Sequence, residues 1–243
     1  MKGNWKYIFI LLLLIGSTSI TAMFFDFQPS KSKTTSSSNR KVIYLTFDDG
    51  PSSIVSIDIL NILKQEQIKG TFFVVGSMIK GKEPVLKRMH AEGHSIGLHT
   101  YSHQYNQIYA SEDAFISEML ATSEEINKVI GIQPKIIRFP YGSKPHLNES
   151  FLKKLHANNF KIYDWNVGIS DGIKPNASPE AFISEATTAS NGISYVVFLM
   201  HCNNTNINTY KALPQIIDHY KKLGYEFKAI TKDTPEFYWH PSK

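Results

Sequence analysis

Two short stretches of this sequence carry side chains able to do hydrolytic chemistry together. Residues 99–103 read His-Thr-Tyr-Ser-His, which places the imidazoles of His99 and His103 four residues apart. On one helical turn such a pair faces the same way and can bind one metal ion. Residues 48–51 read Asp-Asp-Gly-Pro. Two adjacent carboxylates repel unless a cation lies close by. Asp49 joined to His99 and His103 gives the donor number of a catalytic metal site, with positions left open for water and substrate. Each pattern alone is weak, because His-x-x-x-His arises by chance and Asp-Asp-Gly-Pro also spells a surface turn. On a strand Asp48 and Asp49 point to opposite faces, so the turn at Gly50 and Pro51 has to bring them to one pocket.

What must position these groups is a series of strands. Apolar runs, mostly rich in Ile, Val, Phe and Tyr, occupy residues 42–47, 70–75, 95–99, 136–139, 160–167, 195–201 and 227–230. They read as strands. Between them, residues 53–65 carry Ile54, Ile57, Leu60 and Leu63 at helical spacing, and 112–130 set Phe115, Met119, Ile126 and Ile130 on about one face. Residues 83–92, 147–158, 179–190 and 209–223 complete the set of helices, with Pro179 marking a helix start. This alternation predicts an α/β fold of parallel strands covered by helices, either doubly wound or a barrel. Asp48 and Asp49 end the first run, and His99 and His103 the third. Arg138 and Tyr141 end the fourth, Asp171 follows the fifth, and His201 ends the sixth. Both architectures build their sites at the C-terminal ends of strands.

Residues 46–50 (Thr-Phe-Asp-Asp-Gly), His99-x-x-x-His103, residues 138–142 (Arg-Phe-Pro-Tyr-Gly) and residues 199–201 (Leu-Met-His) occur in that order. Together they resemble the polysaccharide deacetylase family, whose shared region is the NodB homology domain of carbohydrate esterase family 4. The resemblance spans roughly residues 40–232. It implies a distorted (β/α) barrel, often of seven or eight strands, in line with the seven runs. It also implies removal of N- or O-acetyl groups from peptidoglycan, chitin-like oligomers, biofilm glucosamine polymer or xylan. By the same resemblance Asp48 matches a catalytic base. Asp49, His99 and His103 match ligands of one divalent metal ion, usually zinc, sometimes cobalt or another. Arg138 matches the residue that orients the base. Tyr141 matches a backbone N–H donor to the oxyanion, Leu199 an acetyl-pocket wall, and His201 a general acid paired with Asp171.

Three positions depart from the family pattern. Many relatives carry tryptophan where Gly172 stands, and Trp165 is not expected to replace it. Cys202 follows His201 where an aspartate is common, and it reads as a small buried filler rather than a nucleophile. Phe139 replaces a proline.

Composition fits a single folded unit. Hydrophobic residues make up 42% of the 243 residues, and Cys202 is the one cysteine, which excludes an internal disulfide and a cysteine metal cluster. The net charge of +5 sits in the first 41 residues, where six Lys and Arg side chains face Asp26 alone. The balanced remainder argues against a nucleic-acid surface. No charge interrupts residues 7–25, and Lys2 and Lys6 precede them. Residues 1–27 are therefore expected to be a membrane anchor or a cleaved signal segment, residues 28–41 a flexible linker, and residues 42–243 a catalytic domain outside the cytosol. The expected partners are a polysaccharide and, through the N-terminal segment, the membrane, with the chain a monomer. The expected activity is de-N-acetylation of cell-wall amino sugar. Another deacetylase of biofilm polymer or O-acetyl esters, and a catalytically weak carbohydrate-binding protein, are the alternatives.

Overall fold

A computed structural model describes residues 40–189 and 192–239. The elements in chain order are β1 (Val42–Gly50), α1 (Val55–Gln65), β2 (Thr71–Val74), α2 (Glu83–Ala91), β3 (Ser95–Leu98), α3 (Tyr105–Ile108), α4 (Glu112–Ile130), β4 (Ile136–Ile137), α5 (Glu149–Ala157), β5 (Lys161–Ile162), β6 (Val167–Gly168), α6 (Pro179–Ala189), β7 (Tyr195–His201), α7 (Ile207–Lys222) and β8 (Glu226–Lys228). Every strand pair is parallel. The sheet runs β5-β4-β3-β2-β1-β7-β6, with β8 beside the start of β1. It is a curled, incomplete barrel with seven strands along its path and β8 off it, built on the parallel β/α alternation that the sequence predicts.

The two faces of the sheet follow from the strand period of two. In β1, Ile43, Leu45 and Phe47 pack with Phe72, Phe198, Met200 and the helical residues Leu60, Phe115 and Leu213. The intervening Tyr44 joins Phe73, Ile136, Tyr163, Val197 and Ile230 in a second, inner cluster. The central strands are buried on both sides, which explains their nearly continuous apolar runs. The same alternation puts Thr46 and Asp48 on the inner side of β1, and Leu199 and His201 on the inner side of β7. Asp48 and His201 are paired neighbours in the β1–β7 register.

The fifth predicted strand, 160–167, is two strands separated by a break. Over residues 163–166 the ladder partners become side chains and the C-terminal segment. Tyr163 bridges Phe237, and the Asp164 N–H donates to the Phe237 carbonyl at 2.6 Å. The Asn166 amide donates to Tyr195 and accepts from Val197 N. The barrel is open between β5 and β6, and residues around Phe237 line the opening.

The expected membrane segment requires a correction. Residues 1–27 lie outside the described residues, and among the described residues no helix is long and apolar enough to cross a membrane. The longest, α4, carries Glu112, Asp113, Glu118, Glu124, Glu125 and Lys128 along its length and buries only one face. The expectations of a transmembrane helix, of a membrane partner and of single-pass localisation are therefore withdrawn.

Phe198 is fully buried and meets the Tyr220 ring edge-on at 5.8 Å, joining β7 to α7. Phe198→Ala should destabilise the protein by about 3–5 kcal/mol, read as a lowered midpoint in chemical denaturation.

Candidate active site

Asp49, His99 and His103 converge. Asp49 Oδ1 lies 3.5 Å from His99 Nε2 and 3.3 Å from His103 Nε2. One ligand atom from each falls within 4.8 Å of the others. Asp49 Oδ1 is buried without a hydrogen-bond partner. A buried carboxylate oxygen facing two ring nitrogens is a donor set that a divalent cation satisfies. His99 Nδ1–H donates to the Arg138 carbonyl at 3.0 Å, which fixes the ring and leaves the Nε2 lone pair facing Asp49. Burial holds the His99 pKa down to about 3, so the ring is neutral, as a metal ligand must be.

The backbone reaches this arrangement by two departures from regular structure. The β1–β2 register shifts between Asp48 and Gly50, and Asp49 takes a left-handed φ of 66°. This bulge turns Asp49 to the side that Asp48 already faces. The stretch 99–103 is not a helical turn, contrary to the sequence expectation. It is a bend, with Thr100 at φ 64° and His103 at φ 55°. Its backbone is held by Glu118 of α4, whose Oε2 accepts from Tyr101 N at 2.8 Å and Ser102 N at 2.7 Å. Glu118 was not legible as a site residue, because its spacing is that of any charged helix position.

On one side of the triad lies Asp48. Arg138, fully buried, donates through Nη1 to Asp48 Oδ1 at 2.9 Å and to Thr46 Oγ1 at 2.6 Å. Its Nε and Nη2 donate to the carbonyls of Tyr163 and Asp164. Asp48 Oδ2 stays on the triad side, 3.7 Å from His99 Nε2. Burial raises the Asp48 pKa against the opposing pull of Arg138 and His201. The result is an oriented carboxylate more basic than one in water.

On the other side His201 Nδ1 is 2.8 Å from Asp171 Oδ1. Asp171 is fully buried, and its Oδ2 accepts from His201 N and Thr209 Oγ1, both at 2.8 Å. Burial of the imidazole pulls its pKa down. The hydrogen bond to Asp171 and the charges of Asp171, Asp48 and Asp49 outweigh this and bring it to about 9. A Cβ on Gly172 would sit 2.4 Å from His201 Cε1. At this position glycine is a steric requirement of the adjacent imidazole.

Asp48, Asp49, His99, His103 and His201 line one cavity of about 540 Å³, together with Trp165, Ile169, Gly172, Ile173 and Leu199. Trp165 forms part of the lining. It sits in the break between β5 and β6, where the backbone leaves the sheet, and its ring packs against Trp239 at 4.7 Å. Tyr141 also lines the cavity, with φ 65° followed by Gly142 at φ 89°. The next residue, Ser143, is bound through both N–H and Oγ by the buried Asp164, which also accepts from Trp239 N. Asp164 was another residue missed in sequence, having no motif around it. Cys202 is buried, its thiol donates to the Asp48 carbonyl, and burial pushes its pKa far up, as expected for an inert filler.

The family model described as polysaccharide deacetylase matches residues 35–162. A peptidoglycan-N-acetylglucosamine deacetylase of Bacillus cereus is 35% identical over 209 residues, covering 84% of this chain and 75% of its own length. Among solved structures, the polysaccharide deacetylase Bc1974 from Bacillus cereus superposes with a TM-score of 0.74 at 34% identity, over 82% of this chain and 97% of that one. The catalytic domain of a peptidoglycan N-acetylglucosamine deacetylase from Eubacterium rectale gives a TM-score of 0.76 at 28% identity, over 84% and 94%.

Glu118→Ala leaves the Tyr101 and Ser102 N–H groups without their acceptor and loosens the bend between the two histidines. Divalent-metal affinity, measured by competition with a chromophoric chelator, should fall about ten-fold. Unchanged affinity would show that the bend holds itself.

Proposed function

Since this chain belongs to the polysaccharide deacetylase family, we propose that it removes N-acetyl groups from amino sugars of peptidoglycan, with N-acetylglucosamine as the preferred unit. The reading is carried by one arrangement: a metal triad flanked by an oriented base and a protonated His–Asp pair in a single cavity. The relatives named for peptidoglycan-N-acetylglucosamine deacetylation support the substrate class.

Asp49, His99 and His103 would hold the cation. Two imidazoles and a carboxylate suit zinc, and also accept cobalt or another divalent ion. When bound, the cation polarises the acetyl carbonyl and acidifies water. Asp48 takes the proton of the attacking water through Oδ2, while Arg138 holds Oδ1 and fixes the direction of attack. The Tyr141 N–H faces the oxygen on which negative charge develops. Leu199 and Ile169 receive the acetyl methyl group. His201, with its Nδ1–H held by Asp171, presents Nε2–H to the cavity and protonates the departing amine. An amine leaves only when protonated, so a histidine charged up to about pH 9 suits amide cleavage.

The full-length chain should release acetate from peptidoglycan and N-acetylglucosamine oligomers, and far less from acetylxylan. A chelator should abolish the release and added zinc restore it. Asp48→Asn should lower kcat by at least about 100-fold while polymer binding persists. Full activity in that variant would remove Asp48 as the base, and chelator-insensitive release would remove the metal.

His201 is protonated below its pKa, so kcat should decline as pH rises through about 9. Asp171→Asn removes the strongest influence raising that pKa. The alkaline decline should then begin at lower pH in a kcat–pH profile. An unmoved alkaline limb would detach His201 from leaving-group protonation.

A further inference from the structure

The C-terminal segment runs beside the break in the barrel and reaches the loop that carries Tyr141. Tyr163 bridges Phe237 in parallel, and the Phe237 N–H donates to the Ile162 carbonyl at 3.1 Å. Glu236 Oε1 accepts from Ile162 N at 2.8 Å, and Tyr163 Oη donates to the Thr234 carbonyl at 2.7 Å. These bonds bring Trp239 to a fixed place. Its backbone N–H donates to Asp164 Oδ2 at 2.8 Å, and its indole N–H donates to the Trp165 carbonyl at 3.2 Å. The indole covers the face of Gly142 from which a side chain would project, since a Cβ there would fall 2.3 Å from Trp239 Cζ3. Tyr141 and Gly142 both have left-handed backbone, at φ 65° and 89°. The Tyr141 side chain is 63% exposed, so its own burial does little to impose that conformation. The loop is held from outside instead. Before Tyr141, Tyr109 Oη donates to the Pro140 carbonyl at 2.6 Å. After it, Asp164 accepts from both the N–H and the hydroxyl of Ser143. Trp239 packs on the residue between these two anchors, and Asp164 ties it to Ser143.

We propose that Trp239 is a positioning residue for the reaction, which clamps Gly142 and so keeps the Tyr141 N–H aimed at the acetyl oxygen. The inference rests on the function proposed above and adds a residue of the C-terminal segment to its machinery. Trp239 does not line the cavity. It therefore acts through the loop and not on the substrate. A backbone N–H stabilises a developing oxyanion only while it is held at hydrogen-bond distance and angle. Glycine at 142 is required twice over, by its positive φ and by the approach of the indole. The charge on the acetyl oxygen develops in the transition state, so the clamp bears on kcat and not on substrate binding.

Acetate release from the tetramer of β-1,4-linked N-acetylglucosamine is measured for the full-length, zinc-loaded protein and its variants. Deleting an oxyanion donor outright costs about 100- to 1,000-fold in kcat, and misaligning one by Trp239→Ala should cost about ten-fold, with KM unchanged. Trp239→Phe keeps a ring against Gly142 and should recover most of the loss. Zinc affinity, read by chelator competition, should equal that of the wild type in both variants. Amide NMR reads the clamp without turnover. In Trp239→Ala the Tyr141 and Gly142 amides should shift and lose order on the ps–ns timescale, while the Thr100 and Cys202 amides stay in place. Gly142→Ala approaches the same contact from the other side, and should shift the Trp239 indole N–H resonance and lower kcat. A raised KM with unchanged kcat, a loss of zinc affinity parallel to kcat, no recovery with phenylalanine, or unmoved loop amides overturns the proposal. Absence of acetate release from the wild-type protein counts against the proposed function instead, and the amide resonances still decide whether Trp239 holds the loop.

Discussion

The buried pair of Arg138 and Asp48 is the contact through which the site is assembled. Arg138 is fully buried, and Asp48 is 2% exposed. A buried charge is tolerated only when paired and hydrogen-bonded, and removing one partner of such a pair typically costs about 3–5 kcal/mol. Arg138 meets this condition by reaching across the barrel interior. It binds Asp48 and Thr46 on β1 and the carbonyls of Tyr163 and Asp164 in the break between β5 and β6. Its guanidinium lies over the Phe73 ring at 4.3 Å. Its own carbonyl accepts from His99 Nδ1. One residue thereby holds Asp48, the His99 ring and the segment that bears Trp165.

Around this pair the backbone is strained where the chemistry is. Asp49, Thr100, His103 and Tyr141 all adopt positive φ without being glycine. Such conformations cost of order 1–3 kcal/mol each and persist only where the surroundings impose them. The surroundings are identifiable. Glu118 holds the bend between the histidines, and Asp164 holds Ser143 just after Tyr141. Cys202 N donates to the Asp48 carbonyl at the start of the β1 bulge. The strain falls in the loops at one end of the sheet and in the bulge at the end of β1.

The departures from the family pattern have a common structural sense. A tryptophan cannot simply be placed at Gly172, because the His201 ring already occupies the position of its Cβ. Trp165 lines the cavity, braced by Trp239 from the C-terminal segment, and Ile173, also in the lining, is 86% exposed. The cavity lining thus combines Trp165 with the aliphatic Ile169, Ile173 and Leu199, and Tyr141 borders it beside His103.

By itself the sequence determined the strand-and-helix alternation, the end of the sheet that carries the site, and the side chains that converge there: Asp49, His99 and His103, the Arg138–Asp48 pair and the His201–Asp171 pair. These are local properties: hydrophobic period, donor type and the order of motifs along the chain. Only the tertiary structure decided that Asp49 joins the face of Asp48, through a bulge, and that residues 99–103 form a bend and not a helical turn. It alone placed Trp165 in the wall and gave Glu118 and Asp164 their positioning roles. Left-handed backbone and contacts between distant segments are selected by packing and by buried hydrogen bonds. Residue letters and spacing carry no imprint of either, so those features became visible only when the strands were brought side by side.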